Sequence, residues 1–524
     1  MDAYQRQAAT SSCEATLVLA GPGAGKTTML AGRVRFLLEN GEQPERILCL
    51  TFSRKAAAAM RAKIATPGVV VSTFHAFCLG VLRARRDVFG AVADGLIDDA
   101  ARAASLAELV GDGALERLNE VDIARERGST GDLAREFDAE LAASGRIDFA
   151  GMALRVVDAC RADAEFASWI GGGFSQVLVD EYQDVSPVQE ALVRVFFDHG
   201  ATIWAVGDDD QSLYEFRAAD VRRVLDFTKA FAGAAVISTA ANYRCSEAVV
   251  AAARSLIAHN KARVGKAAEA RSGVQGVAVT RGYVDDRAEA AAIRRAVQRL
   301  LAAEVEPSEI AILTRSNALR DYIARFVGRA DVVVMTAHAA KGLEWDYVFV
   351  AGCEDGVWPS SGAPVEEERR IFYVAATRAR IGVSFSYAVK RFEREAFRSG
   401  FLDEVGVEES AGATATLDDG GAVSAPGRRM AKWLEVDLDK SRFSDTAREL
   451  RNMKQGRPVR SWTSWSDADD AGLEDLVERK VAPGEMARLL QRTVPEVVAR
   501  VGSRGLICGG DVGRILFERS RRAG

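Results

Sequence analysis

The segment Ala20-Gly21-Pro22-Gly23-Ala24-Gly25-Lys26-Thr27-Thr28 gathers three glycines, a lysine and two adjacent hydroxyls. Glycines let backbone N–H groups turn toward phosphate oxygens, and a helix opening at Lys26 adds its positive end. In such a cradle Lys26 would reach the β- and γ-phosphates of a nucleotide, and the Thr27 hydroxyl would ligate Mg²⁺. The first position is Ala20 where the pattern ordinarily has Gly. Phosphoryl transfer also needs an acidic strand end. Val177-Leu178-Val179-Asp180-Glu181 supplies one. Asp180 would hold the Mg²⁺ water shell, and Glu181 would polarise the attacking water. Two adjacent acids after an apolar run are common by chance; the glycine-rich segment gives these their weight.

For these groups to meet, both segments must end strands of one sheet. The apolar run Thr16–Ala20 precedes the glycines, and a helical pattern runs from Lys26 to about Asn40. Ile47–Phe52 reads as a second buried strand and Arg54–Ile64 as an Ala-rich helix. Strand signals vanish between about 86 and 170, then return at Gln176–Val179, Thr202–Val206 and Val236–Thr239. A second series follows: Val277–Thr280, Ile310–Leu313, Val332–Thr336, Tyr347–Ala351 and Gly382–Tyr387. Strands alternating with helices predict an α/β fold with two parallel sheets. The expected division is a first α/β domain from 1–85 and 171–238, a helical insertion at 86–170, and a second α/β domain at 239–405. A flexible linker at 406–455, rich in Ala, Gly, Ser and Thr, and a small all-α module at 456–524 would complete the chain.

Further motifs follow in order over residues 1–390. They are Thr51-Phe52-Ser53-Arg54-Lys55, Ser72-Thr73-Phe74-His75, Asp180-Glu181-Tyr182-Gln183-Asp184 and Gly207-Asp208-Asp209-Asp210-Gln211. Asn242-Tyr243-Arg244, the run from Thr336 through Lys341 to Glu344, and the run from Glu366 to Arg380 complete the set. Together they resemble the motifs of superfamily-one UvrD/Rep-type DNA helicases. The resemblance implies two RecA-like domains with ATP between them and a 3′→5′ motor on single-stranded DNA. By the same resemblance Gln5 would read the adenine edge, Tyr243 would stack on the base and Glu344 would touch the ribose. Gln211 would sense the γ-phosphate, with Arg244 and Arg378 reaching it from the second domain. Charge stabilisation of that kind is worth about 10³–10⁵ in rate in P-loop enzymes.

A strand track needs sequence-tolerant contacts, chiefly stacking platforms and a few cations. The resemblance offers Phe52, Phe74, His75, Tyr214, Phe216, Arg217, Arg315, His338 and Trp358. Phe216 stands where relatives usually carry Trp, and Phe52 and Phe74 read equally well as core aromatics. Two departures stand out. Thr28 occupies a position where relatives often place an Arg against the adenine, which would loosen nucleotide selectivity. Only about twenty residues separate Arg315 from Val333, where relatives insert a large helical subdomain called 2B. Its near absence would leave a minimal motor, with duplex contacts supplied elsewhere.

In the tail, Ser466 reads as an N-cap ahead of Leu473 and Leu476, Ala482–Leu490 as a second helix and Thr493–Val501 as a third. Three short helices resemble a helix-turn-helix module. Arg492, Arg500 and Arg504 would then face duplex DNA; a protein-docking module is the alternative.

Composition agrees with an intracellular enzyme of several domains. Hydrophobic residues make up 48% and charged residues 27%, and 69 Lys and Arg against 74 Asp and Glu give a net charge of −5. A polyanion would therefore be held in a local cleft. Seven scattered cysteines without a Cys-x-x-Cys pair, and four dispersed histidines, argue against a disulfide scaffold or a zinc knuckle. No secretory leader or membrane-spanning run is evident, so a cytoplasmic location is expected. The expected partners are single-stranded DNA and single/double-strand junctions, with duplex DNA or a protein on the tail and no membrane; the cofactors are ATP and Mg²⁺. The rival readings are a translocase that strips proteins from DNA without unwinding, and an ATP-gated DNA-binding regulator.

Overall fold

The computed structural model describes residues 1–407 and 409, apart from 112–113, 129–130, 214–221, 267 and 330, together with Leu490. The expected tail module, with Arg492, Arg500 and Arg504, lies outside the described residues, as do Tyr214, Phe216, Arg217 and most of the expected linker.

Among the described residues, eleven strands form two parallel sheets. The first contains β1 (Ala15–Ala20), β2 (Ile47–Thr51), β3 (Val70–Thr73), β4 (Gln176–Val179), β5 (Thr202–Gly207) and β6 (Ala235–Thr239), in the order β3-β2-β4-β5-β1-β6. Every residue of β1, β2 and β3 is buried, as expected of a parallel sheet covered by helices on both faces. Each apolar run that read as a strand falls on one, with Phe52, Val332 and Ala351 lying one residue outside. β3 is the addition: Val70-Val71-Ser72-Thr73 is only four residues long and ends in polar ones.

The helices between β3 and β4 have a core of their own around Leu106, Val121, Phe137 and Leu141. An ionic knot sits beside it. Asp148 caps the helix Phe149–Ala162 through Gly151 N (2.9 Å) and accepts from Arg102 Nε (2.8 Å) and Arg125 Nη1 (2.7 Å). Arg125 and Asp148 are both fully buried, and Arg125 also reaches Asp138. Burial works against the ionised Asp148 carboxyl, yet Arg125 and Arg102 outweigh it and hold the group below its usual value.

The second sheet contains β7 (Val277–Tyr283), β8 (Ile310–Thr314), β9 (Val333–Thr336), β10 (Trp345–Val350) and β11 (Ala379–Ala388), ordered β9-β8-β10-β11-β7. Between β8 and the edge strand β9 the chain forms one helix, Asn317–Val327. It closes on Gly328 in the left-handed region (φ 63°), and β9 begins at Val333. Among the described residues no helix is long and apolar enough to cross a membrane.

Removing one partner of a buried charge cluster costs about 3–5 kcal/mol because the others lose their counter-charge. Asp148→Ala should therefore lower the free energy of unfolding by an amount in that range, read in urea as a lower midpoint. A midpoint equal to that of the parent chain would show that the knot contributes no stability.

Candidate functional site

β1 delivers its C-terminal end to the glycine-rich turn, and Gly25 caps the helix Lys26–Glu39. Gly23 and Gly25 hold φ of +72° and +83°, where a side chain would be strained. Space is also short there. A Cβ on Gly23 would lie 2.5 Å from Arg244 Cβ, and one on Gly25 would lie 2.9 Å from Gln5 Nε2. Gln5 is buried and donates to Ala24 O at 2.9 Å, while its Oε1 accepts from Asp2 N. The N-terminal helix Ala3–Ala9 is thus tied to the turn that would cradle phosphates. Thr28, in the first turn of the next helix, accepts from Lys63 Nζ at 2.7 Å.

β4 ends at the acids, the arrangement in which α/β sheets present ligands beyond their strand ends. Asp180 is buried, and its Oδ1 has no hydrogen-bond partner. Burial, then the neighbouring Glu181, pushes its carboxyl up to about 7. Glu181 takes a left-handed backbone (φ 51°) and keeps 27% of its side chain open, 3.5 Å from Lys26 Nζ. Burial works against its ionised form, but Lys26, Lys341 and the Gln183 amide outweigh that and hold it below its usual value.

The second sheet completes the site. Arg378, just before β11, is buried and donates to Val374 O (2.9 Å), Leu343 O (3.2 Å) and Gln211 Oε1 (3.1 Å). Burial pushes its guanidinium down to about 10. Gln211 in turn donates to Asp208 Oδ2 at 2.6 Å. Asn242 Oδ1 accepts from Arg244 N and Cys245 N, and Tyr243 N donates to Gly23 O at 2.9 Å, which seats this turn on the glycine-rich one. Arg244 pairs with Glu344 at 2.5 Å, and the half-exposed Tyr243 hydroxyl bonds Asp2.

Three cations absent from the expected set stitch the halves together. Lys341 Nζ donates to both Asp184 oxygens (2.7 and 2.6 Å) and to Gln211 O (2.8 Å). Lys266 is 4% exposed among Asp208, Asp209 and Asp210, and Arg263 makes a two-pronged bond to Asp210 (2.9 and 2.8 Å). Lys341 lies inside a quoted motif and could have been noticed. Nothing in the spacing pairs residue 266 with 208.

The expected strand contacts divide. Phe74 is 2% exposed and packs with Phe77 and Val81, so it offers no ring face to a base. Trp358 is fully buried, edge-on to Phe372 at 5.0 Å, and donates to Ala351 O. Both are corrections: in each the aromatic surface fills a core. Phe52 lies half-buried just past β2, and His75 meets Phe149 edge-on at 6.2 Å. Arg315 is committed to Glu368 through Nε (2.9 Å) and Nη2 (2.6 Å). His338 is half-buried nearby; burial, followed by Arg315, lowers its imidazole. A short hairpin, Lys390–Arg391 against Arg394–Glu395, exposes Phe392 and Phe397, which the sequence reading passed over.

Lys266→Met strips the ammonium from three buried carboxylates. Its expected effects are a lower unfolding midpoint and a larger radius of gyration in solution X-ray scattering, as the two sheets separate. If neither quantity changes, Lys266 does not hold the halves together.

Residues 5–217 match the family described as an AAA domain, and residues 324–390 match the UvrD-like helicase C-terminal domain. The chain is 31% identical over 369 residues to "ATP-dependent DNA helicase UvrD1" of Mycobacterium leprae, covering 61% of this chain and 47% of that protein. It is 27% identical over 554 aligned positions to "ATP-dependent DNA helicase UvrD2" of Mycobacterium bovis, covering 75% of this chain and 79% of the relative. With "ATP-dependent DNA helicase PcrA" of Staphylococcus epidermidis it shares 27% identity, over 61% of this chain and 48% of the other. It therefore spans about half the length of the UvrD1 and PcrA relatives. With one match covering the cradle and acidic strand ends and the other leading through Arg378 on the facing sheet, the chain belongs to the UvrD-like helicase family.

Proposed function

We propose that this chain is an ATP-driven DNA helicase that travels 3′→5′ along a single strand and serves repair, replication or recombination. The observation that carries the reading is the Arg378–Gln211 contact, which sets a cation of the second sheet against a side chain of the first at the mouth of the phosphate cradle. A site divided in this way can convert nucleotide binding into closure of two bodies. The relatives' names, each an ATP-dependent DNA helicase, support it.

On this reading the first α/β domain comprises residues 1–85 and 171–238, with 86–170 inserted, and the second comprises 239–405. Lys26 and the backbone of Gly21–Gly25 hold the phosphates of ATP, while Gln5 and Tyr243 face the base. Thr27 and Asp180 would hold Mg²⁺, and the buried, unpartnered Asp180 Oδ1 is the kind of atom a cation would satisfy. When bound, the ion neutralises charge on the β- and γ-phosphate oxygens. Glu181 polarises the attacking water. Arg378 and Arg244 exchange Gln211 and Glu344 for the γ-phosphate as the cleft closes.

Single-stranded DNA would run over Phe52, His75, Arg315 and His338, joined by Tyr214, Phe216 and Arg217. The near absence of a 2B subdomain is supported by the single helix and short turn between β8 and β9. The alignment with the UvrD2 relative also occupies more positions than this chain has residues, so that protein carries stretches without counterparts here. Duplex contacts would then fall to the tail and its Arg492, Arg500 and Arg504.

Lys26→Ala and Glu181→Gln should each reduce strand-stimulated ATP turnover at least about 100-fold, the order expected for removing a phosphate ligand or a positioned base. On matched tailed duplexes, the parent chain should separate the 3′-tailed substrate and leave the 5′-tailed one intact. Turnover without separation of either substrate would replace the helicase reading with that of a bare translocase.

A further inference from the structure

Glu181 occupies a backbone region that costs a non-glycine residue of order 1–3 kcal/mol, so something must hold it there. Lys26 lies 3.5 Å away, but that ammonium has its own task at the phosphates. The other neighbour is Gln183, a fully buried side chain that the proposed reaction does not use. Its Nε2 donates to Glu181 Oε2 at 2.6 Å, and its Oε1 accepts from Asp208 N at 2.8 Å. A buried amide has two ends with opposite polarity, and here both are spent on the site.

The chain of bonds continues. Asp208 accepts from Gln211 Nε2 at 2.6 Å, and Gln211 accepts from Arg378 at 3.1 Å. Gln183 also lies close against β5: a Cβ on Gly207 would come within 2.7 Å of Gln183 Oε1. Gly207 has a negative φ, so its lack of a side chain answers to this approach and not to backbone strain.

We propose that Gln183 is a positioning residue that links the water-polarising carboxylate of Glu181 to the Asp208–Gln211–Arg378 relay. When Lys26 turns to phosphate, Gln183 retains Glu181. When Arg378 leaves Gln211, the shift reaches Glu181 through the same amide. ATP hydrolysis is thereby made to depend on closure of the two sheets. The inference rests on the reading of the site as one that hydrolyses ATP.

Gln183→Met in the full chain keeps length and volume but removes both bonds. The turnover number of strand-stimulated ATP hydrolysis should fall at least tenfold, with the KM for ATP and the affinity for a single-stranded oligonucleotide within threefold of the parent. Gly207→Ala, which displaces the amide from the opposite side, should give the same split and serves if the methionine variant folds poorly. The inference is overturned if both variants keep turnover within twofold, or if turnover and the two affinities fall together as in general loss of structure. Glu181→Gln, measured alongside, separates the levels. Its retained turnover would remove the reading of the site itself, whereas its loss beside an active Gln183→Met would remove only the coupling.

Discussion

A carboxylate taken out of water must find a cation, or it costs several kcal/mol. The rest of this architecture follows from that constraint. Asp184, Asp208, Asp209 and Asp210 are all buried at the C-terminal ends of β4 and β5. Their counter-charges are Lys341, Lys266 and Arg263, which belong to the segments that build the second sheet. For these four acids the paired cation comes from the other half. The contact between the sheets is therefore specified by neutralisation, and Gln211 and Arg378 meet because they stand in its middle.

Adjacent acids acquire different characters from the same rule. Burial opposes ionisation of Asp208, but Lys266 within 2.7 Å and Lys26 beyond it hold its carboxyl below the usual value. Asp180 is also buried, and burial, then the neighbouring Glu181 charge, raises its carboxyl to about 7, with Lys26 offsetting only part of this. The first is a structural anchor already neutralised. The second keeps one buried oxygen without a hydrogen-bond partner.

Much of the frame was legible because its signals are local. The glycine-rich turn, the apolar runs of β1, β2, β4 and β5, and the change from alternating to purely helical pattern after residue 86 each declare themselves within a few residues. β3 did not, since four residues that end in Ser72 and Thr73 hold too little apolar pattern. Phe74 and Trp358 misled for a related reason: an aromatic in a motif has the same letter whether it faces a base or a core. The charged partners were illegible altogether. Lys266 is more than fifty residues from the acids it neutralises, and only folding brings them together.

The position of the short β8–β9 connection has a physical logic of its own. β9 is an edge strand whose four residues are each only partly buried, and the helix before it is capped by a left-handed glycine at its outer end. Val327 and Val332 both belong to the core with Ile310, Ile312, Tyr347 and Phe349, so added chain would have to leave between those two valines to spare it. Length at such a place is tolerated because few buried bonds cross it. The charged boundary draws on the other end of this strand: Lys341, which pairs with Asp184, follows Thr336, whereas added chain would enter ahead of Val333. A large subdomain can thus be present or absent here while the neutralised acids, and the proposed phosphate site beside them, stay as they are.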